Sequence, residues 1–162
     1  MTSSLTKTFT VDATPAEAFA AIIDVRAWWS GNVVGPTDTL GADFVYVASD
    51  LHYSKFRITE LVPDRSTAWV VLDSYLSFID DKEEWTGTTV RFEVLQDDGR
   101  TQVRFTHEGL APADECYDVC DTAWESYVVG SLRALIEKGS GRPGSFEGPE
   151  GLAAARAGRA MV

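Results

Sequence analysis

The chain has 162 residues, enough for one domain, and its 44% hydrophobic and 24% charged residues exclude disorder of the whole chain. A formal net charge of −11 makes it a poor partner for phosphate backbones, so no nucleic-acid binding is expected. The longest apolar runs, such as 68–72, fall far short of the roughly 20 residues that span a bilayer, and Met1–Ser4 has neither a basic nor an apolar region. No membrane partner and no signal peptide are therefore expected, and the default compartment is the cytoplasm.

Leu5 to Val11 alternates, with Leu5, Lys7, Phe9 and Val11 on one side and threonines on the other, and predicts a strand. Thr14, Pro15 and Glu17 form a capping box with proline at the first helical position, so a helix runs from Pro15 to about Asp24. A second helical turn, Val25 to Trp29, ends at Ser30-Gly31. Strands are then expected at Asp43 to Ala48, Tyr53 to Val62, Thr67 to Asp73, Trp85 to Leu95 and Thr101 to Leu110, with Asp97-Asp98-Gly99-Arg100 as a hairpin turn. Short turns between successive strands imply an antiparallel meander.

From Ala113 to Lys138 there is no proline, and Tyr117, Cys120, Trp124, Tyr127, Val128, Ser131 and Leu135 recur at spacings of three and four. This predicts one long helix packed on the sheet, with Gly139 as its C-terminal cap. Gly139 to Gly144 is a breaker cluster. Residues 1–139 are read as the domain and 140–162 as a tail, loosely docked or disordered. Cys116 and Cys120 lie four apart on this helix; reduced, buried thiols are favoured over half of a metal site or a redox pair.

Strand, two short helices, antiparallel meander and long helix is the order of the START-like superfamily, the helix-grip fold of the birch pollen allergen. Local motifs resemble the family of homologues of the activator of the 90-kDa heat-shock protein ATPase. They are Trp28-Trp29, Ile58-Thr59-Glu60-Leu61-Val62-Pro63, Glu84-Trp85-Thr86-Gly87-Thr88, Val103 through Leu110, Trp124-x-x-Tyr127-x-x-x-Ser131-Leu132, and Glu137-x-Gly139-x-Gly141-x-Pro143. Together they span residues 5 to about 143. The resemblance implies an α+β helix-grip fold, a curved antiparallel sheet wrapped around a long C-terminal helix, with an internal cavity.

On strand parity and helix spacing the candidate ligand-binding residues are Trp28, Phe44, Tyr46, Phe56, Trp69, Phe92, Phe105, His107, Tyr117, Trp124 and Tyr127. The expected partner is a small hydrophobic molecule, and the plainer alternative is that these side chains fill a solid core. His107 shares parity with Val103 and Phe105, so it points inward, as a structural group or as a base. His52 is read as a surface loop residue. Of the adjacent indoles of Trp28-Trp29, one closes the interior and the other contacts the following loop. Arg57, Arg91 and Arg104 are expected on the outer face with Glu60 and Glu93. No catalytic motif, metal site or cofactor is read from the sequence. A co-chaperone-like module that binds a heat-shock ATPase, with the acidic run 80–84 facing a basic surface, and a cyclase- or dehydratase-type enzyme stay open, as does the choice between monomer and homodimer.

Overall fold

Thr14 caps the first helix as its sequence predicts. Its hydroxyl accepts from the Glu17 amide at 3.1 Å, and the Glu17 carboxylate accepts from the Thr14 amide at 3.0 Å. The computed structural model describes residues 4–48, 52–76, 80, 82–111, 114 and 117–144. The elements in chain order are β1 (Ser4–Val11), α1 (Pro15–Ile23), α2 (Val25–Trp28), β2 (Val33–Val34), β3 (Asp43–Ala48), β4 (His52–Val62), β5 (Ser66–Leu76), β6 (Thr89–Asp97), β7 (Arg100–Glu108) and α3 (Tyr117–Trp124). A π-helical segment, Glu125–Leu132, and α4 (Arg133–Lys138) follow without a break in helical backbone, since Trp124, Leu132 and Arg133 all keep right-handed helical angles.

The seven strands form one antiparallel sheet in the order β1-β7-β6-β5-β4-β3-β2. Each consecutive pair from β2 to β7 is a meander step, and β1 returns to pair with β7, which lets the first strand close one side of the sheet. Register shifts between Lys55 and Phe56 and between Ile58 and Glu60 mark irregularities in the β4–β5 ladder, the kind of insertion that bends a sheet. The long helix and α1 lie on the concave side. There the inward residues of every strand from β1 to β7 join those of the helices in one apolar cluster. This is the helix-grip fold.

Three elements differ from expectation. Trp85 to Thr88 is a turn and not strand: the Thr88 amide donates to Trp85 O at 3.0 Å, and β6 starts only at Thr89. This loop lies along the outer half of β5, where the Val71 amide donates to Thr88 O and the Gly87 amide to Val71 O, both at 2.9 Å, so β5 runs on to Leu76. β2 was not foreseen, because a two-residue strand carries no periodicity. On the outer face Arg91 reaches both Glu60 (3.0 Å) and Glu108 (2.7 Å), and Arg104 lies 4.0 Å from Glu93, while Arg57 pairs with Asp43 at 2.8 Å.

The chain stays docked past Gly139. The Arg142 amide donates to Ser131 Oγ at 2.6 Å, Ser131 Oγ donates to Trp28 O at 2.7 Å, and the Gly144 amide donates to Trp29 O at 2.7 Å. Residues 140–144 thus clasp α2 against the π-helical segment; residues 145–162 lie outside the described residues. A Cβ on Gly141 would stand 2.6 Å from Ala27 O, so only glycine permits this crossing. Cys120 is buried on α3 and disulfide-bonded, which corrects the expectation of a reduced thiol; the chain's other cysteine, Cys116, lies outside the described residues.

Candidate functional site

Ten of the eleven candidate residues are buried, and Tyr117, in the first turn of α3, is partly buried against them. Nine of them, Trp28, Phe44, Tyr46, Phe56, Trp69, Phe92, Phe105, His107 and Trp124, meet as a continuous ring cluster. Trp29, which was not among the candidates, is its hub: it stacks on Tyr46 at 4.3 Å and on Trp69 at 6.3 Å, and touches Trp124 at 5.2 Å and Phe56 at 5.7 Å. Trp28 lies beside it at 6.3 Å and edge-on to Phe92 at 5.5 Å. Trp28 and Trp29 are only 0% and 2% exposed, so both face the interior, against expectation. Trp28 closes α2 and Trp29 is its C-cap, so both indoles leave the end of the helix and pack on rings of the sheet side.

Among the described residues one buried side-chain polar group is left over. Trp69 Nε1 is buried and has no hydrogen-bond acceptor. A buried donor without a partner costs about 1–3 kcal/mol, so it marks either strain or a place for an acceptor that arrives from outside.

His52, Ser54, Thr88 and His107 gather near the loop that carries Trp85. His107 sits near the end of β7, as its parity predicts. Trp124 Nε1 donates to His107 Nδ1 at 3.2 Å, which leaves the proton on Nε2; that nitrogen donates to Thr88 Oγ1 at 2.8 Å, and Thr88 Oγ1 donates to Trp85 O at 2.6 Å. Every ring nitrogen of His107 is thereby used. Burial pushes its pKa down to about 3. A neutral imidazole whose lone pair is taken by an indole N–H is a structural group and not a general base at neutral pH.

His52 corrects the sequence reading. It opens β4 and turns inward, with Nε2 2.7 Å from Ser54 Oγ and its ring edge-on to Tyr46 at 5.0 Å and to Trp85 at 4.6 Å. Burial, and then the neighbouring His107, push its pKa down to about 3. The signal was available: His52, Ser54, Phe56 and Ile58 share one parity, and the last three are fully buried. Trp85 lies between the two imidazoles, 4.8 Å from His107, and stacks on Trp124 at 5.8 Å. Among the described residues no group of three His, Cys, Asp or Glu side chains is placed to hold a metal ion.

A curved sheet gripping a long helix around an aromatic interior defines a START-like domain. Residues 12–137 match the family described as activator of Hsp90 ATPase homolog 1-like protein, and the chain belongs to that family. Its fold is similar to the solution structure of the Aha1 dimer from Colwellia psychrerythraea, at 21% identity and a TM-score of 0.69, over 85% of this chain and 98% of that one. It is similar to protein MLL2253 from Mesorhizobium loti, at 14% identity and a TM-score of 0.67, over 82% and 96% of the two chains. It is also similar to CalU16 from Micromonospora echinospora, at 14% identity and a TM-score of 0.62, over 97% and 84%. No curated protein matches the chain. No helix among the described residues is long and apolar enough to cross a membrane.

Proposed function

We propose that this domain binds a small, uncharged aromatic molecule in its interior, between the sheet and the long helix. The observation that carries this reading is the unpartnered indole N–H of Trp69 among apolar rings. A ligand carbonyl or ether oxygen placed there would satisfy the donor, and the ring faces of Trp29, Phe56 and Phe92 would hold the apolar body. Because the rings lie in contact, the ligand enters by displacing side chains, with Trp29 as the pivot. Burial of apolar surface at roughly 25 cal/mol per Å² supports micromolar affinity for a two-ring molecule with no charged contact. Phe44, Tyr46, Phe105, Tyr117, Trp124 and Tyr127 complete the proposed lining, with Trp28 and His107 at its margins.

The test compares benzophenone with diphenylmethane, which has the same two rings and no acceptor, by tryptophan fluorescence. Both are expected to bind, benzophenone more tightly. Trp69→Phe removes the N–H and most of the difference, about tenfold in Kd. Phe105→Arg, shown to fold, binds neither. If wild type binds neither compound, or Trp69→Phe keeps the full preference, the interior site is wrong.

A second reading, a module that binds a heat-shock ATPase, is supported by the family's description and by exposed apolar residues on the outer sheet face, Val34 at 70% and Tyr75 at 47%. Homodimerisation belongs with it, since the Colwellia protein is described as a dimer. An enzyme of cyclase or dehydratase type finds less support, because both nitrogens of His107 are engaged. A disulfide at Cys120 supports a compartment more oxidising than the cytoplasm.

A further inference from the structure

The outer face of the sheet is not uniform. On β6 and β7 it carries Arg91, Glu93 and Arg104, paired with one another or with Glu60 and Glu108. From β2 to β5 the outward residues near one end are apolar. Val34 lies opposite Val45, Val47 opposite Tyr53, and Tyr53 opposite Tyr75, so the ladder sets these side chains next to one another on one surface. Leu72 joins them as the extra residue of β5, where Lys55 pairs with Asp73 and Phe56 already with Val71. Val34, Val47, Leu72 and Tyr75 are all exposed, and Val45 and Tyr53 are half-buried. Apolar side chains grouped in this way at the surface mark an area that a partner covers.

The charges around this patch select the partner. Lys55 and Arg57 stand there with Asp43 and Asp73, two of each sign, so the area is neutral in a chain whose net charge is −11. Two copies of so acidic a chain repel each other over most of their surface, and least here. Asp43 takes both cations, Arg57 at 2.8 Å and Lys55 at 4.0 Å. Asp73, directly opposite Lys55 in the register, has no ion pair among the described residues. A two-fold axis between β4 and β5 would set Lys55 of each copy against Asp73 of the other, and the Tyr53–Tyr75 pairs onto each other. A two-fold contact uses one patch twice and so requires this self-complementarity. Tyrosines at its centre are the residue type that anchors such contacts.

We infer that the outer face of β2 to β5 is where two copies of this chain meet, centred on Tyr53 and Tyr75 with Lys55 and Asp73 paired across the axis. The assignment rests on the homodimer reading and names its surface. The patch is at the small end of interface sizes, so the dimer is a transient one, with a Kd of about 10–100 µM. Sedimentation velocity from about 5 to about 500 µM protein should show the mass rise from monomer to dimer and stop there. Tyr75→Lys puts a charge at the centre and should weaken the dimer by at least about tenfold. Lys55→Glu and Asp73→Lys should each weaken it by about tenfold. Mixed one to one, those two variants should form a heterodimer as tight as the wild-type dimer, because every charge then meets its opposite. A contact within one chain is not rescued by mixing. None of the three positions is buried, so the variants keep the fold, which circular dichroism checks. A monomer at every concentration overturns both this assignment and the homodimer reading, and leaves the face to a different protein. A dimer that Tyr75→Lys leaves as tight keeps the homodimer and overturns this surface. Failure of the mixed variants to associate, or a mass that climbs beyond the dimer, overturns the two-fold arrangement.

Discussion

At the level of single residues, the two histidines show how position decides chemistry. His107 was legible from parity with Val103 and Phe105. His52 reads as a surface loop residue because Asp50 precedes it closely, although its parity with Ser54, Phe56 and Ile58 points inward. Both rings are held neutral by burial, with folded pKa values near 3 against an ordinary value near 6.5. The sign of the linkage follows. Between those limits the unfolded chain binds protons that the folded chain refuses, so stability is full above about pH 6.5 and falls as the pH drops toward 3. Each imidazole contributes up to about 1.4 kcal/mol per pH unit in that window. Urea denaturation at steps from pH 7 to pH 5 should show the slope of both histidines in wild type and about half of it in His52→Gln. A wild-type stability that stays flat over that range would mean that these rings are not desolvated. Carboxylates with lowered pKa add the same sign only at lower pH, which is why the range stops at 5.

At the level of elements, the strands and the capping box were legible because they rest on local rules: period-two alternation, turn residues and an N-terminal capping signature. What escaped depends on contacts far apart in sequence. Trp85 to Thr88 leads into the alternation of β6, yet it turns: Gly87 takes a positive φ of 88° and β5 holds Thr88 O and the Gly87 amide. The π-helical segment keeps the apolar spacing of an ordinary helix, so its wider turn leaves no mark in the pattern. The clasp looked like a flexible tail for a similar reason. Gly-Ser-Gly-Arg-Pro-Gly has the composition of a linker, but Gly141 is there for a close approach to Ala27 O. Gly141→Ala should therefore cost on the order of 1–3 kcal/mol, since a backbone carbonyl cannot step aside as a flexible side chain could. Truncation after Gly144 should change the melting temperature by less than about 5 °C, given how few large apolar anchors residues 145–162 contain. Truncation after Gly139 removes the bonds to Ser131 and Trp29 and should lower it by more, with a red shift of tryptophan emission as α2 loosens. Equal melting temperatures for the two truncations would show that the clasp carries no stability.

For the whole molecule, the candidate site was legible as a list of inward rings but not as an arrangement. Alternation tells which side a residue faces; it does not tell that Trp29 joins four elements, or that one indole N–H goes unpaired, because both depend on how the helix settles across the sheet. Net charge, by contrast, is fully readable, and its consequence can be weighed. Pairs such as Arg57–Asp43 and Arg133–Glu137 lie at the surface, where a pair is worth about 0–1 kcal/mol and salt weakens it. Against them stands a formal surplus of 11 negative charges, whose mutual repulsion the folded state concentrates and salt relieves. At about 0.1 M salt the screening length is ~10 Å, shorter than the width of a domain, so repulsion between distant carboxylates is largely removed while each contact pair keeps part of its attraction. Repulsion should therefore dominate the response. Raising NaCl from about 10 mM to 0.2 M should raise the melting temperature, with a gain of about 1 kcal/mol reading as roughly 3 °C for a chain of this size. The check is a thermal melt followed by circular dichroism in NaCl and in KCl, which should agree if the effect is screening and not ion binding. A melting temperature that falls with salt would mean that the surface pairs outweigh the acidic surplus.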